Sequence, residues 1–373
     1  MKICIATDYH LSYRQYGLGE REQDFYDQYE KLIDEIINEQ PDIFIQLGDI
    51  FDTPYPKPIA IKKYEEGIER LNRHNIRVYG IIGNHTIVQR RNYYPIDNIF
   101  DDKVTMLDNN YIIIDDIFIA GLDYRPRNRN IKESIDSLYE QGKHCHMKIL
   151  CLHQSLRKDQ EIGYDFDEAE LELNRFDYVF LGHFHQRILR YDKVTNNVIH
   201  YPGSLNSCNI PELRDEMDYG RGYTVFDTDY CFIEMKSLEP AREYIEYTVT
   251  DDDLNDSFID EVIESLRDYP VKPIVHINFD LKNPSSIHET VEKLSPYCLR
   301  VSRKKAVQSE AIENEGSGHI EFTQSSIEKM IYDSFDEEWE ADLCIGLLDF
   351  LGKGRNDEAI ELAERVYKEQ YTI

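Results

Sequence analysis

The sequence lacks an excess of basic residues. The protein therefore has no net positive charge with which to bind an anionic polymer. Its 42 lysines and arginines are outnumbered by 72 aspartates and glutamates, which gives a formal net charge of −30. Proteins that hold nucleic acid through their own surface charge usually show the opposite balance. We therefore expect any anionic polymer to be held through local basic stretches, bound cations or a partner protein.

The sequence has seven cysteines but no Cys-x-x-Cys pair. Their number is odd, and Cys4 and Cys151 fall in apolar runs typical of strands. We interpret the cysteines as small buried residues in a reducing compartment. This interpretation excludes a disulfide framework and a zinc site built from thiolates.

Long apolar runs are also missing. No run reaches the roughly 18 residues that a membrane-spanning helix needs, and residues 1–8 lack the charged and apolar segments of a signal peptide. We expect no membrane association and a cytoplasmic location. The frequent use of isoleucine, tyrosine, asparagine and lysine is typical of an AT-rich bacterial or phage genome, so a bacterial or phage-infected cell is the expected setting.

Strand and helix patterns alternate over the first two thirds of the chain. Short apolar runs at residues 2–7 and 43–47 flank a stretch at 22–38 whose apolar residues recur with helical spacing. Similar alternation continues to residue 182, after which closely spaced strands indicate hairpins. This pattern predicts an α/β fold, a four-layer αββα sandwich of two sheets between outer helices.

The pattern changes near residue 240. A β-α-β-α-β succession over residues 244–302 predicts a small α+β domain, and a Glu-, Gly- and Ser-rich stretch predicts a linker. Helical spacing then continues to the end, broken by Gly352-Lys353-Gly354 into a hairpin. The predicted domains are 1–240, 241–308 and 323–373, joined before the last by a linker at 309–322.

Side chains of metal-binding type follow five of the predicted strands. The carboxyl ends of strands in an α/β sheet converge on one edge, so these side chains are expected to share one crevice. A glycine precedes three of them, which we expect to allow sharp turns and to leave room for a ligand. In chain order the predicted ligands are Asp8, His10, Asp49, Asn84, His153, His183 and His185.

The types of donor indicate the kind of metal. Carboxylate, amide and imidazole donors without thiolate suit Mn²⁺, Fe²⁺ or Zn²⁺, whereas Ca²⁺ prefers oxygen donors alone. Seven donors exceed what one ion needs, so we expect two divalent ions sharing a carboxylate. Such pairs lie roughly 3.5–4 Å apart and catalyse phosphoryl displacement. The residues therefore predict a two-metal site of the kind that catalyses phosphoryl displacement.

The motifs, in their order, resemble the signature of the calcineurin-like metallophosphoesterases. They are Asp8-x-His10, Gly48-Asp49-x-x-Asp52, Gly83-Asn84-His85, His153 and Gly182-His183-x-His185. Protein phosphatases of this superfamily continue the second motif with Asp-Arg-Gly and the third with Glu, where this chain has Thr53-Pro54 and Thr86. Three further segments, at 47–53, 201–204 and 221–242, resemble the SbcD and MRE-eleven DNA nucleases.

The resemblance implies a role for each matching residue. It implies one ion held by Asp8, His10 and His185, a second held by Asn84, His153 and His183, and Asp49 bridging the two. It makes His85 the catalytic residue, which stabilises the transition state or protonates the leaving oxygen. Thr86 replaces the family's usual aspartate. The residues expected to support the site or contact DNA are Asp52, Thr86, Arg90, Arg91, Arg125 and Arg127.

The resemblance also implies an activity and partners. Family members are Mn²⁺-dependent 3′-to-5′ exonucleases on double-stranded DNA and endonucleases on single strands or hairpins, with Mg²⁺, Fe²⁺ or Zn²⁺ as alternative ions. They act as homodimers in SbcCD-like complexes that process DNA ends in recombination and repair. The C-terminal hairpin would bind an ATPase of the SbcC and RAD-fifty kind through its apolar stripe of Ile327, Met330, Ile331, Phe335, Trp339, Leu343 and Leu347.

Two alternatives fit the same residues. A metallophosphoesterase of nucleotides or small phosphodiesters would keep the site but need neither the second domain nor the helical tail. A non-catalytic scaffold that binds DNA ends would normally have lost a ligand, and all seven are present. For the hairpin, the alternative is that it folds back onto its own core.

Overall fold

A computed structural model of the chain describes most of the first 305 residues and a few positions near the end. The chain divides into two compact units, Met1–Ala306 and Val307–Ile373. No helix among the described residues is long and apolar enough to cross a membrane. The described residues are 1–86, 100, 102–127, 131–159, 164–209, 212, 220–250, 256–280, 286–305, 343–347, 360, 362–363 and 365–366.

The described residues of the first unit form fifteen strands and six α-helices. The strands are β1 (Lys2–Ala6), β2 (Ile43–Gln46), β3 (Arg77–Gly80), β4 (Thr105–Met106), β5 (Asn110–Ile114), β6 (Ile117–Leu122), β7 (Met147–His153), β8 (Tyr178–Gly182), β9 (Ile188–Tyr191), β10 (Val198–Tyr201), β11 (Arg221–Asp227), β12 (Phe232–Leu238), β13 (Tyr244–Thr250), β14 (Ile274–Asp280) and β15 (Arg300–Lys305). The helices are α1 (Gly19–Glu39), α2 (Pro58–Arg73), α3 (Lys132–Gly142), α4 (Glu168–Leu171), α5 (Asp256–Arg267) and α6 (Ser286–Leu294).

Two six-stranded sheets form the larger part of the first unit. Their strand orders are β12-β11-β1-β2-β3-β4 and β5-β6-β7-β8-β10-β9. The inner pairs β1–β2, β2–β3, β6–β7 and β7–β8 are parallel, whereas β11–β12 and β9–β10 are antiparallel. The parallel strands therefore direct their carboxyl ends to one edge of each sheet, as the sequence predicts.

Alternation along β1 shows how the layers are built. Ile3 and Ile5 lie in the core between the two sheets, whereas Cys4 and Ala6 lie in the core that α1 and α2 cover. On β7, Ile149 likewise faces the other sheet, and the opposite face packs under α3. Burying one such isoleucine contributes about 1.5–3 kcal/mol relative to leaving it exposed. The layers are helix, sheet, sheet and helix, so the predicted αββα sandwich is confirmed.

A third, smaller sheet has its own core. Strands β13, β14 and β15 are all parallel, with α5 and α6 in the two crossovers. Arg242 comes just before this sheet in the chain. Its guanidinium donates to both carboxylate oxygens of Asp24 on α1, at 2.7 and 3.0 Å. All three sheets belong to the unit Met1–Ala306, so the predicted boundary at 240/241 stays a prediction.

The second unit is helical wherever it is described. Residues 343–347 form a helical segment, and a Cβ built on Gly346 would come within 2.6 Å of Leu362 Cδ2. The two helical stretches of the predicted hairpin therefore approach closely at this glycine. Of the predicted partner-binding residues, Leu343 and Leu347 lie here and are half-buried. Outside the described residues lie Ile327, Met330, Ile331, Phe335, Trp339 and the predicted linker 309–322.

Candidate metal centre

The seven predicted ligands lie at the carboxyl ends of five parallel strands. Asp8 and His10 follow β1, Asp49 follows β2, and Asn84 follows β3. His153 is the last residue of β7, and His183 and His185 follow β8. The structure brings all seven side chains into one cluster, with the contacts given below.

One half of the cluster is built around His10 and His185. Their Nε2 atoms lie 3.1 Å apart. The carboxylate of Asp8 is close to both, with Oδ1 at 4.0 Å from His10 Nε2 and 3.8 Å from His185 Nε2. Two ring nitrogens can face each other at this distance only with a proton or a cation between them. This half therefore offers two imidazoles and a carboxylate to one ion.

The other half is built around the amide oxygen of Asn84. It lies 2.7 Å from His183 Nδ1 and 3.1 Å from His153 Nε2. Asp49 connects the halves, because its Oδ2 is 3.2 Å from His153 Nε2. Its carboxylate also groups with Asp8 and His10 so that all ligand atoms lie within 4.8 Å of one another. A carboxylate that belongs to both halves fits a pair of ions with one shared ligand.

Oxygen atoms hold the outward nitrogens of three of the four predicted histidine ligands. Such contacts fix the tautomer of an imidazole and leave the lone pair of its other nitrogen free for a metal. The contacts are His153 Nδ1 to Leu47 O at 2.6 Å, His183 Nε2 to Asp165 Oδ2 at 3.4 Å, and His185 Nδ1 to Glu212 Oε1 at 3.2 Å. His85 also has one nitrogen held by oxygen, with Nδ1 2.7 Å from Asp52 O.

The electrostatics of the cluster favour bound cations. Asp8 and Asp49 are both buried, and buried carboxylates require compensating positive charge. Burial alone would raise the pKa of Asp49, but the neighbouring His153, His10 and His85 outweigh it and hold the pKa below its usual range. Burial would lower the pKa of His153, yet Asp49 and Asp8 raise it to about 9. The donor set and its charge therefore fit two divalent cations.

Four of the seven residues have a strained backbone. Asp8, His10, Asp49 and His183 have φ values of 53°, 47°, 46° and 84°. Residues with a Cβ usually avoid this left-handed region, because adopting it costs roughly 1–2 kcal/mol per residue. Such strain persists where the surrounding structure enforces it, and it concentrates at functional sites.

The glycines before the ligands make room for neighbouring side chains. A Cβ on Gly83 would lie 2.0 Å from Asp49 Oδ1, and one on Gly48 would lie 2.5 Å from His153 Nδ1. Of the three predicted turn glycines, Gly48 alone has a left-handed φ, at 97°. The space left by the missing Cβ atoms of Gly83 and Gly48 is therefore occupied by protein atoms of the site. The sequence had suggested that a ligand would occupy it.

His85 faces the cluster from its solvent side. Its side chain is 38% exposed, and its main-chain N–H donates to Asp49 Oδ1 at 3.0 Å. Because Nδ1 is engaged with the carbonyl oxygen of Asp52, the ring presents Nε2 to the cluster, 3.9 Å from Asp49 Oδ2. This placement suits a proton donor at the edge of a reaction site.

Asp52 and Thr86 lie beside His85. Asp52 Oδ1 is 3.6 Å from Nδ1 of both His10 and His85, which is close enough for charge attraction but too far for a hydrogen bond. The Thr86 side chain is buried, and its hydroxyl has no hydrogen-bond partner among the described residues. Among those residues, Asp52 and Asp49 hold His85 in place.

The predicted basic contacts have different surroundings. Arg125 is paired with Asp108, its Nη2 lying 2.6 and 2.8 Å from the two carboxylate oxygens. Arg127 is exposed and lies over the ring of Tyr164, with Cζ 4.4 Å from the ring centroid. Arg90 and Arg91 fall outside the described residues.

Four residues of the site were not singled out from the sequence. Asp165 and Glu212 hold histidines, the ring of Tyr124 packs on His183 with centroids 5.5 Å apart, and Cys208 groups with His10 and His185. Asp165 and Cys208 lie in loops, where no periodicity marks them. Only the folded arrangement identifies these residues as part of the site.

Comparison with known proteins gives consistent relationships. The model of the family described as calcineurin-like phosphoesterase matches residues 1–187. The DNA double-strand break repair protein Mre11 of Methanocaldococcus jannaschii is 30% identical over 285 residues, covering 74% of this chain and 75% of that protein. Its namesake in Methanococcus maripaludis is 28% identical over 330 residues, covering 85% and 88%. A solved dimetal phosphatase from Danio rerio is 11% identical, with a TM-score of 0.40, covering 60% and 91%.

Proposed function

Because the chain belongs to the calcineurin-like phosphoesterases and, within them, to the family of the Mre11 double-strand break repair proteins, we propose that it is a nuclease that processes DNA ends. Its proposed activities are Mn²⁺-dependent 3′-to-5′ digestion of double-stranded DNA and cleavage of single strands or hairpins. The observation that carries this proposal is the cluster of seven donors around Asp49, in which oxygen atoms hold the outward nitrogens of His153, His183 and His185.

The proposed ligands divide between two ions. Asp8, His10 and His185 would hold one, and Asn84, His153 and His183 the other, with Asp49 shared. When bound, the two cations supply Lewis acidity and positive charge to the phosphate oxygens. Nitrogen and oxygen donors of this mixture suit Mn²⁺, which is the ion proposed for activity.

In the proposed mechanism, His85 moves a proton at its Nε2 atom. Its Nδ1–H donates to the carbonyl oxygen of Asp52 at 2.7 Å, which holds the ring edge-on to the cluster. The opposite nitrogen, Nε2, then points towards the position of a leaving sugar oxygen. Donation of the Nε2 proton from the imidazolium form would neutralise the charge that develops there and leave a neutral ring that keeps its Nδ1–H. Such proton transfer is typically worth 10²–10⁴-fold in rate.

The remaining site residues position His85 and the phosphate. Asp49 accepts the main-chain N–H of His85 at 3.0 Å, so the same carboxylate sets both the metal ligands and the proposed acid. Main-chain N–H groups hold the carboxylates of Asp8 and Asp49 before substrate arrives, since the N–H of His183 donates to Asp8 Oδ2 at 3.2 Å and that of His85 donates to Asp49. A site organised in advance loses little free energy to reorganisation during the reaction.

DNA binding must be reconciled with the net charge of −30. Two divalent cations contribute four positive charges at the site itself, which the formal count omits. Arg127 and Arg157 both lie over the ring of Tyr164, with Cζ 4.4 and 5.6 Å from its centroid, and both are exposed. We assign these two arginines to contacts with the DNA backbone close to the cluster.

The proposed assembly completes the function. The unit Val307–Ile373 would bind an ATPase of the SbcC and RAD-fifty kind, and the sheet β13-β14-β15 would cap the DNA-binding face. A homodimer is part of the same proposal. A partner would also supply basic surface that this acidic chain lacks.

The proposal is tested by incubating the full chain with linear duplex DNA and, separately, with a chromogenic phosphodiester and a cyclic nucleotide. Mn²⁺-dependent release of nucleotides from DNA, abolished by a chelator, is the expected result. Equal or faster turnover of the cyclic nucleotide would favour a phosphodiesterase of small substrates. If only the chromogenic ester is hydrolysed, adding the ATPase decides whether the partner is required or DNA is the wrong substrate.

A further inference from the structure

Cys208 lies at the proposed metal centre. Its Sγ atom and one ring nitrogen each of His10 and His185 lie within 4.8 Å of one another. The two imidazole nitrogens of this group that face each other are only 3.1 Å apart. Three donors gathered this closely can bind a common ion, and the third of them is sulfur.

The main chain holds the thiol in this position. The N–H of Cys208 donates to Glu212 Oε2 at 2.8 Å, and Tyr13 donates its hydroxyl proton to the carbonyl oxygen of Cys208 at 3.2 Å. The other oxygen of the same Glu212 carboxylate is 3.2 Å from His185 Nδ1. One carboxylate therefore fixes both the histidine and the cysteine of the group.

The buried ring of His10 faces His185 through its Nε2 atom. The side chain of His10 is 2% exposed, and its Nδ1 atom has no hydrogen-bond partner among the described residues. The nearest carboxylate oxygen, Asp52 Oδ1, is 3.6 Å away. The close contact of this ring is therefore on the Nε2 side, where Nε2 of His185 lies 3.1 Å away.

Cys208 differs from the other cysteines. Cys4, Cys151 and Cys298 are buried among apolar residues, and Cys231 is exposed on a turn. In the part of the chain that the structure describes, Cys208 is the one cysteine that falls in a group of metal-binding side chains. Cys208 is partly buried and lies among polar side chains, unlike Cys4, Cys151 and Cys298.

We propose that Cys208 is a metal ligand that shifts the preference of the His10–His185 half of the centre towards soft cations. The inference rests on the proposed two-metal function and adds a determinant of metal choice to it. Thiolate favours Zn²⁺ and Cd²⁺ over Mn²⁺, which prefers oxygen and imidazole. On binding, the thiol proton is released to solvent and the sulfur lone pair is donated to the ion, with no change of oxidation state.

The test compares the full-length protein with Cys208→Ser and with Cys231→Ser as the matched cysteine control. Cd²⁺ is titrated while thiolate-to-cadmium charge-transfer absorption is followed in the ultraviolet. Displacement of Mn²⁺ is followed by the electron paramagnetic resonance of the free ion. We expect Cys208→Ser to lose the absorption of the first bound Cd²⁺ and to lower the Cd²⁺/Mn²⁺ affinity ratio at least tenfold, with Cys231→Ser like wild type.

The outcomes separate the two claims. If wild type binds Mn²⁺ and Cd²⁺ but Cys208→Ser keeps the same absorption and ratio, the inference is wrong and the metal centre stands. If wild type binds neither ion, the proposed metal centre fails and the inference fails with it.

A measurement on the unmodified protein covers the case in which the serine variant does not fold. Cd²⁺ should protect Cys208 from alkylation, as read by mass spectrometry of its peptide, while the exposed Cys231 stays reactive. Equal labelling of Cys208 with and without Cd²⁺ would overturn the inference.

Discussion

Nε2 of His153 lies 3.2 Å from Oδ2 of Asp49, and this carboxylate also groups with Asp8 and His10. The two halves of the centre therefore meet at Asp49. Replacing it by asparagine removes the shared negative charge while keeping the size of the side chain. We expect Asp49→Asn to lose the binding of both ions together, because each half loses a ligand.

This prediction is checked by thermal unfolding with and without Mn²⁺. An ion at 100 times its dissociation constant stabilises a protein by about 2.7 kcal/mol, and the variant should lose this gain. Asp260→Asn, on the exposed face of α5, is the matched control and should respond to Mn²⁺ like wild type. A variant that loses only half of the bound Mn²⁺ would argue against a shared carboxylate.

Two glycines near the same strand give a second prediction. A Cβ on Gly83 would lie 2.0 Å from Asp49 Oδ1, whereas one on Gly80 would meet nothing closer than Val104 Cγ1 at 3.5 Å. Gly83→Ala should therefore displace Asp49 and weaken Mn²⁺ binding at least tenfold. Gly80→Ala should bind Mn²⁺ like wild type. Isothermal titration calorimetry with Mn²⁺ measures the affinity of both variants. Equal Mn²⁺ affinities would contradict the prediction that a Cβ at residue 83 displaces Asp49.

A buried histidine outside the centre should make stability depend on pH. His200 donates or accepts through both ring nitrogens, with Ile188 O and Thr224 Oγ1 each at 2.7 Å. Burial lowers the pKa of His200 to about 4. The unfolded state, with an ordinary value near 6.5, therefore takes up the proton first. The stability from neutral His200 is present above pH 6.5 and is lost as the pH falls towards 4.

The expected loss is about 2 kcal/mol between pH 7 and pH 5. It is measured by denaturant unfolding of wild type and His200→Gln in the presence of a chelator. The difference in the free energy of unfolding between wild type and His200→Gln should become smaller by about 2 kcal/mol from pH 7 to pH 5. His144→Gln, on an exposed histidine, should leave the difference from wild type constant. Parallel curves for wild type and His200→Gln would exclude this role of His200.

The C-terminal unit should be the site of ATPase binding. A chain ending at residue 315 keeps the unit Met1–Ala306 and removes the predicted hairpin. We expect this truncated chain to hydrolyse a chromogenic phosphodiester but to fail to copurify with the ATPase. The full chain, purified in parallel, is the control. Copurification of the truncated chain would show that the docking surface lies elsewhere.

Strand ends could be predicted from the sequence because they depend on local pattern. The apolar run at Ile43 ends in a polar Gly-Asp pair, and β2 indeed spans Ile43–Gln46 with Asp49 three residues beyond it. The end of β15 was less well predicted, since this strand covers Arg300–Lys305, whereas the predicted β-α-β-α-β succession ended at residue 302. Its basic residues do not follow the apolar alternation on which such assignments depend.

The partners of the histidines could not be predicted in the same way. Asp165 and Glu212 are distant in sequence from the histidine rings that they hold, and no regular spacing links them. Their contacts form only when the loops fold. The pairing of Arg125 with Asp108 likewise brings together two segments on opposite sides of a hairpin. The strand ends and the family resemblance predict the ligands, whereas the contacts that orient them depend on tertiary packing.

The most direct test of the central claim is the release of nucleotides from linear duplex DNA with Mn²⁺ by wild type and by His85→Gln. His144→Gln serves as the matched surface control, and Mn²⁺ binding is measured on all three proteins. The account predicts that His85→Gln binds Mn²⁺ like wild type but digests DNA at least about 100-fold more slowly. DNA digestion by His85→Gln at the wild-type rate would contradict the account.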